Sequence, residues 1–276
     1  MDRKAIILGK KIVSRKETLG YAAEKFNWRN VIIGISCFFG FWAWVLARLT
    51  GRKCIYYCID FYSPVIPINK TLKNRVFCWA AMQMDKFLIR VCDEVWDISE
   101  RINEGRQQFG NYFAHSTIVP LSYPPSYFRF HYGKKERIVF VGLDPYGLEL
   151  LPFADIEFIW LGKDKLLPLP DLLFELSCAG IGISLWQEKG NNYYGDPGKT
   201  KLYSACGLPV IMTNNTPYAK IIKETEAGIV IDYDKEQVKW AIKMILENYD
   251  FYKNNVKKTW EYINSDEVFK NCGLNR

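Results

Sequence analysis

The stretch YGDPGKTKLYSACGLPVI, residues 194–211, places Gly198, Lys199 and Thr200 at the start of a short amphipathic helix. Gly207-Leu208-Pro209 then stops that helix ahead of an apolar Val210-Ile211. The first amides of a helix have no intrahelical acceptor, and that end carries partial positive charge. A lysine at the opening of such a helix is electrostatically misplaced unless an anion lies against it. A bound phosphate would remove the penalty and use the same amide donors, so Gly198, Lys199 and Thr200 read as an anion site. The competing reading is a solvated lysine.

Three Gly-bearing loops, the one that leads into this helix among them, point the same way. GLDPYG follows the apolar run RIVFV, GKDK follows IEFIWL, and QEKGNNYYGDPGKT follows GIGISLW. Ligands of parallel sheets collect beyond the carboxyl ends of the strands. Gly142 and Gly162 therefore belong to a candidate phosphate-binding rim, with Trp186, Tyr193 and Tyr194 as rings that could stack on a base or sugar. Asp60, at the end of IYYCID, would stand at the carboxyl edge of a strand in the first half of the chain, although capping a loop accounts for it equally well. Ser99, Glu100 and Arg101 occupy the equivalent edge after VWDI, with Ser99 a plausible N-cap. The one Asp-x-Asp, Asp232-Tyr233-Asp234, reads as a helix start capped by Asp234 rather than a metal site. Neither His115 nor His131 has a clear partner.

These residues need a scaffold, and the chain alternates strand and helix throughout. AIIL, NVIIGIS, KCIYYCID, DEVWDIS and STIVPLS are expected strands of a first half, with helices through Ala23, over Cys37–Ala47 and over Leu72–Val91. The Pro- and Gly-containing segment SYPPSYFRFHYGKKE marks the boundary. RIVFVGL, IEFIWLG, GIGISLW, LPVIMT and GIVID follow as strands of a second half, with late helices near 235–247 and 252–263. Alternating βα units predict two α/β, Rossmann-like domains, 1–130 and 131–276.

Charge and cysteine content narrow the function classes. The net charge is +7, and residues 1–30 hold eight Lys/Arg against three acids. No nucleic-acid-binding signature accompanies that charge, so attraction to an anionic membrane surface, or plain solubility, ranks above nucleic acid. The eight cysteines are scattered with no C-x-x-C, which argues for reduced core thiols in the cytoplasm and against zinc. The uncharged run VIIGISCFFGFWAWVLA, residues 31–47, has a length at the lower edge of a membrane span. Its β-branched start, Gly34 and following strand instead predict strand, buried helix and strand. A helix resting on the membrane is the alternative.

DPGKTKLYSACGLPVI followed by TPYAKIIKETEAGIVID resembles the donor-binding signature of GT-B glycosyltransferases of the group 1, family-4-like kind. The usual form sets a lysine eight residues before the Gly of G-x-P-V-I. Here these are Lys199 and Gly207, completed by Pro209, Val210 and Ile211. IVFVGLD, DKEQVKWAIKMILEN, YYCIDFY, DEVWDISERINE and STIVPLSYPPSYF extend the resemblance over roughly residues 30 to 265. Many retaining members carry two glutamates eight residues apart around this helix. Tyr194 and Leu202 stand there, so the likeness is to lysine-centred variants.

The resemblance implies two Rossmann-like domains with a cleft between them. It also implies transfer of a sugar from a nucleoside-diphosphate sugar, UDP- or GDP-linked, to a glycan or lipid-linked acceptor in surface polysaccharide biosynthesis. No metal or other cofactor is implied, because Lys and helix amides stabilise the leaving diphosphate. The implied donor-binding residues are Gly142, Gly162, Trp186, Tyr194, Asp196, Gly198, Lys199, Thr200 and Tyr203, with Lys199 and Asp60 as the catalytic candidates. The implied place of action is the cytoplasm, peripheral at the inner face of the membrane. The first half is expected to be either minimal or without its beginning, since GT-B proteins have further strands and a Gly-rich loop before NVIIGIS. A non-catalytic GT-B-like subunit that binds nucleotide sugar or a partner is the alternative.

Overall fold

A computed structural model describes residues 4–9, 13–62, 71–128, 133–142, 147–153, 156–162, 167–187 and 193–274. Residues 143–146 of GLDPYG, 163–165 of GKDK, 188–192 of QEKGNNYYGDPGKT, and His131 lie outside that description. The chain divides into two compact units. One comprises Met1–Leu121, Lys189–Asp196 and Val268–Arg276, the other Ser122–Glu188 and Pro197–Glu267.

In the first unit β1 (Ile6–Leu8), α1 (Val13–Lys25), β2 (Val31–Ile35), α2 (Ser36–Thr50), β3 (Lys53–Cys58), α3 (Leu72–Val91), β4 (Glu94–Asp97), α4 (Arg101–Gly110) and β5 (Thr117–Ile118) follow in order. All five strands are parallel and stand in chain order, β1-β2-β3-β4-β5. The uncharged run 31–47 is divided as expected, into β2 and most of α2. A Cβ on Gly34 would lie 2.5 Å from the Gly40 Cα, so this pair of glycines lets strand and helix backbones touch. Among the described residues no helix is long and apolar enough to cross a membrane.

Two expectations change here. STIVPLS pairs only over Thr117–Ile118, the Val119 amide making a last bond to the Asp97 carbonyl at 2.8 Å where β4 ends. Ser99 does not cap α4. Its hydroxyl donates to the Tyr194 carbonyl at 2.6 Å, and the residue preceding the helix is Glu100, without a side-chain cap.

A buried ion cluster ties α3, β4 and α4 together. Arg106 Nε and Nη2 donate to Asp85 at 2.8 and 3.0 Å, and Nη1 donates to Asp97 at 2.7 Å. The Tyr56 and Tyr112 hydroxyls donate to Asp85, and Ser116 donates to Asp97 at 2.5 Å. One guanidinium between two carboxylates leaves an excess negative charge out of water. Burial accordingly raises the Asp97 pKa, against the opposing pull of Arg106 and Ser116. A raised native pKa contributes stability that is full below the ordinary carboxylate value and is lost as pH rises through the native one. Arg106→Ala should therefore lower the unfolding free energy near neutral pH by about 3–5 kcal/mol, and by less as pH falls and Asp97 takes up its proton. Urea unfolding at several pH values reads this, and a neutral-pH loss below about 1 kcal/mol would contradict it.

The second unit contains β6 (Arg137–Val141), β7 (Glu157–Leu161), α5 (Leu169–Ser177), β8 (Ile181–Ser184), α6 (Gly198–Ala205), β9 (Val210–Thr213), α7 (Tyr218–Thr225), β10 (Gly228–Ile231) and α8 (Lys235–Glu247). The late helix expected near 252–263 starts earlier and is broken. It comprises α9 (Tyr249–Val256), a 3-10 turn over Lys257–Thr259 and α10 (Trp260–Ile263), before α11 (Ser265–Asn271). The Thr259 hydroxyl donates to the Val256 carbonyl at 2.7 Å, a local bond that competes with continuous helix. This sheet is also parallel throughout, in the order β10-β9-β8-β6-β7. Its order reverses between β6 and β8. Ile138, Phe140, Ile181, Ile183, Ile211, Val238 and Ile242 fill the core beneath.

Candidate functional site

Where parallel strand order reverses, neighbouring strands send their connections in opposite directions and leave a crevice at their carboxyl ends. The described strands of the first unit show no reversal. Those of the second show it at β6 and β8, and the glycines, tryptophan and lysine read from the sequence gather there.

Gly142 follows β6, its amide donating to the Leu161 carbonyl at 3.0 Å and its carbonyl accepting from Trp160 Nε1 at 2.6 Å. Gly162 follows β7 with φ +90°, a backbone state that favours glycine, and a Cβ on it would lie 3.5 Å from the Gly142 oxygen. Trp186, just past β8, donates from Nε1 to Ser184 Oγ at 2.9 Å. Thr213 at the end of β9 holds its backbone, accepting from the Trp186 amide and donating to its carbonyl, both at 2.9 Å.

α6 begins at Gly198, so Lys199 is its second residue. The Tyr123 hydroxyl donates to the Gly198 carbonyl at 2.6 Å and anchors that end. Lys199 Nζ lies 5.7 Å from the Trp186 ring centre and 5.8 Å from that of Phe140, and 2.7 Å from where a Gly142 Cβ would stand. A cation is thus held between two ring faces, at the first turn of a helix, over the reversal point. Weakly hydrated on the ring side, it is disposed to meet an anion entering from the loop side.

Thr200 and Tyr203 are fully buried. Thr200 donates to Ser184 at 2.7 Å, and the Tyr203 hydroxyl accepts from the Val141 amide at 2.8 Å. Burial raises the Tyr203 pKa and keeps the phenol neutral. Both residues seat α6 against the ends of β6 and β8, which makes them positioning residues for Lys199.

Several other sequence candidates, Tyr194, Asp196 and Asp60 among them, belong to the first unit. Tyr194 is buried, its ring packed on Phe61 at 5.3 Å and on Phe109 at 6.4 Å, and its carbonyl accepts from Ser99. Asp196 accepts from the Leu121 amide at 2.7 Å. Asp60 is exposed just past β3. Asp234 caps α8, accepting from the Gln237 amide at 2.9 Å, while Asp232 accepts from Gln237 Nε2. Among the described residues no group of three or more His, Cys, Asp or Glu gathers as metal ligands.

Lys201 was not singled out in the sequence. It is 2% exposed, with Nζ 5.4 Å from the Tyr218 ring centre at the start of α7. Lysine is rarely so deeply buried. The only trace in the sequence is its position two residues beyond Lys199. Ser184, Phe140 and Thr213 were missed too, because nothing in a strand's apolar pattern marks which residue will meet a helix end.

Residues 167–275 match the family model described as Glucosyltransferase 3-like, C-terminal domain. Glucosyltransferase 3 of Streptococcus gordonii is 32% identical over 115 residues, which are 39% of this chain and 32% of that protein, so the chain spans about a third of its curated relative. Among solved structures, Anabaena HepE in complex with UDP-glucose superposes with a TM-score of 0.67 at 10% identity, covering 93% of this chain and 80% of that one. Sucrose-phosphate synthase of Thermosynechococcus elongatus gives a TM-score of 0.65 at 12% identity, covering 96% and 78%.

Gly142→Ala should displace the Lys199 ammonium, whose flexible tip would lie 2.7 Å from the new Cβ, and press more mildly on the Phe140 ring at 3.0 Å. Its affinity for pyrophosphate-bearing ligands should fall about tenfold, ~1.4 kcal/mol. Calorimetry with an unchanged melting profile would bear this out, whereas undiminished affinity would contradict it. The chain is a GT-B-fold protein whose residues 167–275 match the Glucosyltransferase 3-like C-terminal domain.

Proposed function

We propose that this chain is a glycosyltransferase. It moves a sugar from a UDP- or GDP-linked donor to a glycan or lipid-linked acceptor in surface polysaccharide biosynthesis, at the cytoplasmic face of the membrane. One observation carries the reading: the Lys199 ammonium stands between Trp186 and Phe140 at the first turn of α6, beside Gly142 at the strand reversal. The names of the related proteins support the same class of donor, since HepE was solved with UDP-glucose.

As the glycosidic bond breaks, negative charge builds on the departing diphosphate. Lys199 and the first amides of α6 are already oriented toward that charge, so they need not reorganise as it develops. The lysine and amides fill the electrostatic role a divalent metal has in other transferases, and the reaction is proposed to run without one. Gly142 and Gly162 let the backbone approach the phosphates closely, and Trp186 offers a ring to the base or sugar. Asp60, at the carboxyl edge of the first sheet, is the proposed acceptor-side carboxylate, deprotonating the attacking hydroxyl.

The test is turnover. The purified protein is incubated with UDP- and GDP-sugars and a lipid-linked saccharide fraction, and free nucleoside diphosphate is measured. Release that needs both donor and acceptor is expected, and Asp60→Asn should reduce it by about two orders of magnitude. Donor binding with no release under any acceptor would contradict catalysis and favour a non-catalytic binding subunit.

A further inference from the structure

Of the eight Lys/Arg within residues 1–30 that the sequence offered for membrane approach, five (3, 10, 11, 15 and 16) lie outside the described side chains. A different surface of the first unit carries the features of a membrane-facing one. Helix α2 turns Cys37, Gly40, Ala43 and Ala47 inward. Phe38, Trp42 and Leu49 remain 40%, 63% and 79% exposed on its outer side. On α3, Leu72, Val76, Phe77 and Trp79 are exposed as well. The two stripes meet where the Phe38 and Phe77 rings lie 5.5 Å apart.

Two helices thus bear seven of the thirteen large exposed hydrophobic side chains among the described residues. A concentration of this kind marks an interaction surface rather than ordinary scatter. The charge around it selects the partner. Arg48, Lys73, Arg75 and Arg90 are exposed on the same helices. Their one carboxylate, Asp85, is buried against Arg106. Aromatic rings and aliphatic chains beside cations, with no exposed acid, suit a bilayer that is apolar within and anionic at its surface.

We infer that the outer face of α2 and α3 docks onto an anionic phospholipid surface, with Trp42 and Trp79 entering the headgroup boundary and Arg48, Lys73 and Arg75 meeting lipid phosphates. This deepens the proposed function, since a lipid-linked acceptor is presented at such a surface, and it rests on that reading only for its purpose.

Sedimentation with vesicles tests it. Wild-type protein should partition onto phosphatidylcholine vesicles containing phosphatidylglycerol, far less onto phosphatidylcholine alone, and less as salt is raised. Trp42→Ser with Trp79→Ser should lower the partition about tenfold or more. Lys73→Gln with Arg75→Gln, which alters only exposed positions, should lower it to a similar extent. Trp240→Ser, an exposed tryptophan on α8, should leave it unchanged. Absence of wild-type binding, or binding indifferent to both double variants, would overturn the inference. So would concentration-dependent self-association abolished by the tryptophan pair, which would assign the face to a second copy. No nucleotide is present in the assay, so failure there leaves the donor reading untouched.

Discussion

A parallel strand can be continued only by a crossover, and the fold of the second unit follows from where those crossovers change direction. β6 lies inside the sheet, with β7 on one side and β8, β9 and β10 on the other. The chain must leave β6 toward one edge and come back to lay β8 on the opposite side. Loops depart from each other at that point, and the space between them has to be filled or left for a ligand. Here Gly142 and Gly162 remove side chains from it, and Trp186 and Lys199 bound it.

On the proposed reading, Lys199 is a locally unfavourable choice put to use. A cation in the first turn of a helix opposes the helix dipole, and solvent would ordinarily draw it outward. The seating of α6 prevents that. Thr200 is bound to Ser184, Tyr203 to the Val141 amide and the Gly198 carbonyl to Tyr123, so the helix has no freedom to turn its lysine away. On the proposed reading, an incoming diphosphate would meet an ammonium already set at the first turn of α6. Such pre-orientation is what makes a charged group useful in a transition state.

Much of the scaffold was legible because its periodicities are unambiguous. The sequence predicts a helix over Leu72–Val91, the bounds the structure shows, and the ten strands among the described residues all lie within runs whose pattern predicts strand. The Gly-Lys-Thr opening of α6 was legible as a helix start, and the loop glycines as the ends of β6 and β7. Tyr194 and Asp196 show what local reading misses. Their partners Ser99 and Leu121 are 95 and 75 positions away, so nothing near them in the sequence marks their place in the first unit. The Arg106 cluster was hidden likewise, since burial of Asp85, Asp97 and Arg106 depends on three separate elements closing together. In the run 31–47 the sequence predicts a buried helix, whereas α2 buries only Cys37, Gly40, Ala43 and Ala47 and leaves Phe38, Trp42 and Leu49 exposed, because an uncharged run does not mark which side faces the sheet.

The central claim is that Lys199 and its surroundings form a diphosphate site. Calorimetric titration with UDP, GDP, CDP, ADP and dTDP, repeated on Lys199→Ala, tests it most directly. Selective binding of one nucleotide is predicted, weakened about ten- to a hundredfold in the variant, or roughly 1.5–3 kcal/mol. Absence of binding by all five at millimolar concentration, or equal binding by wild type and variant, would contradict it.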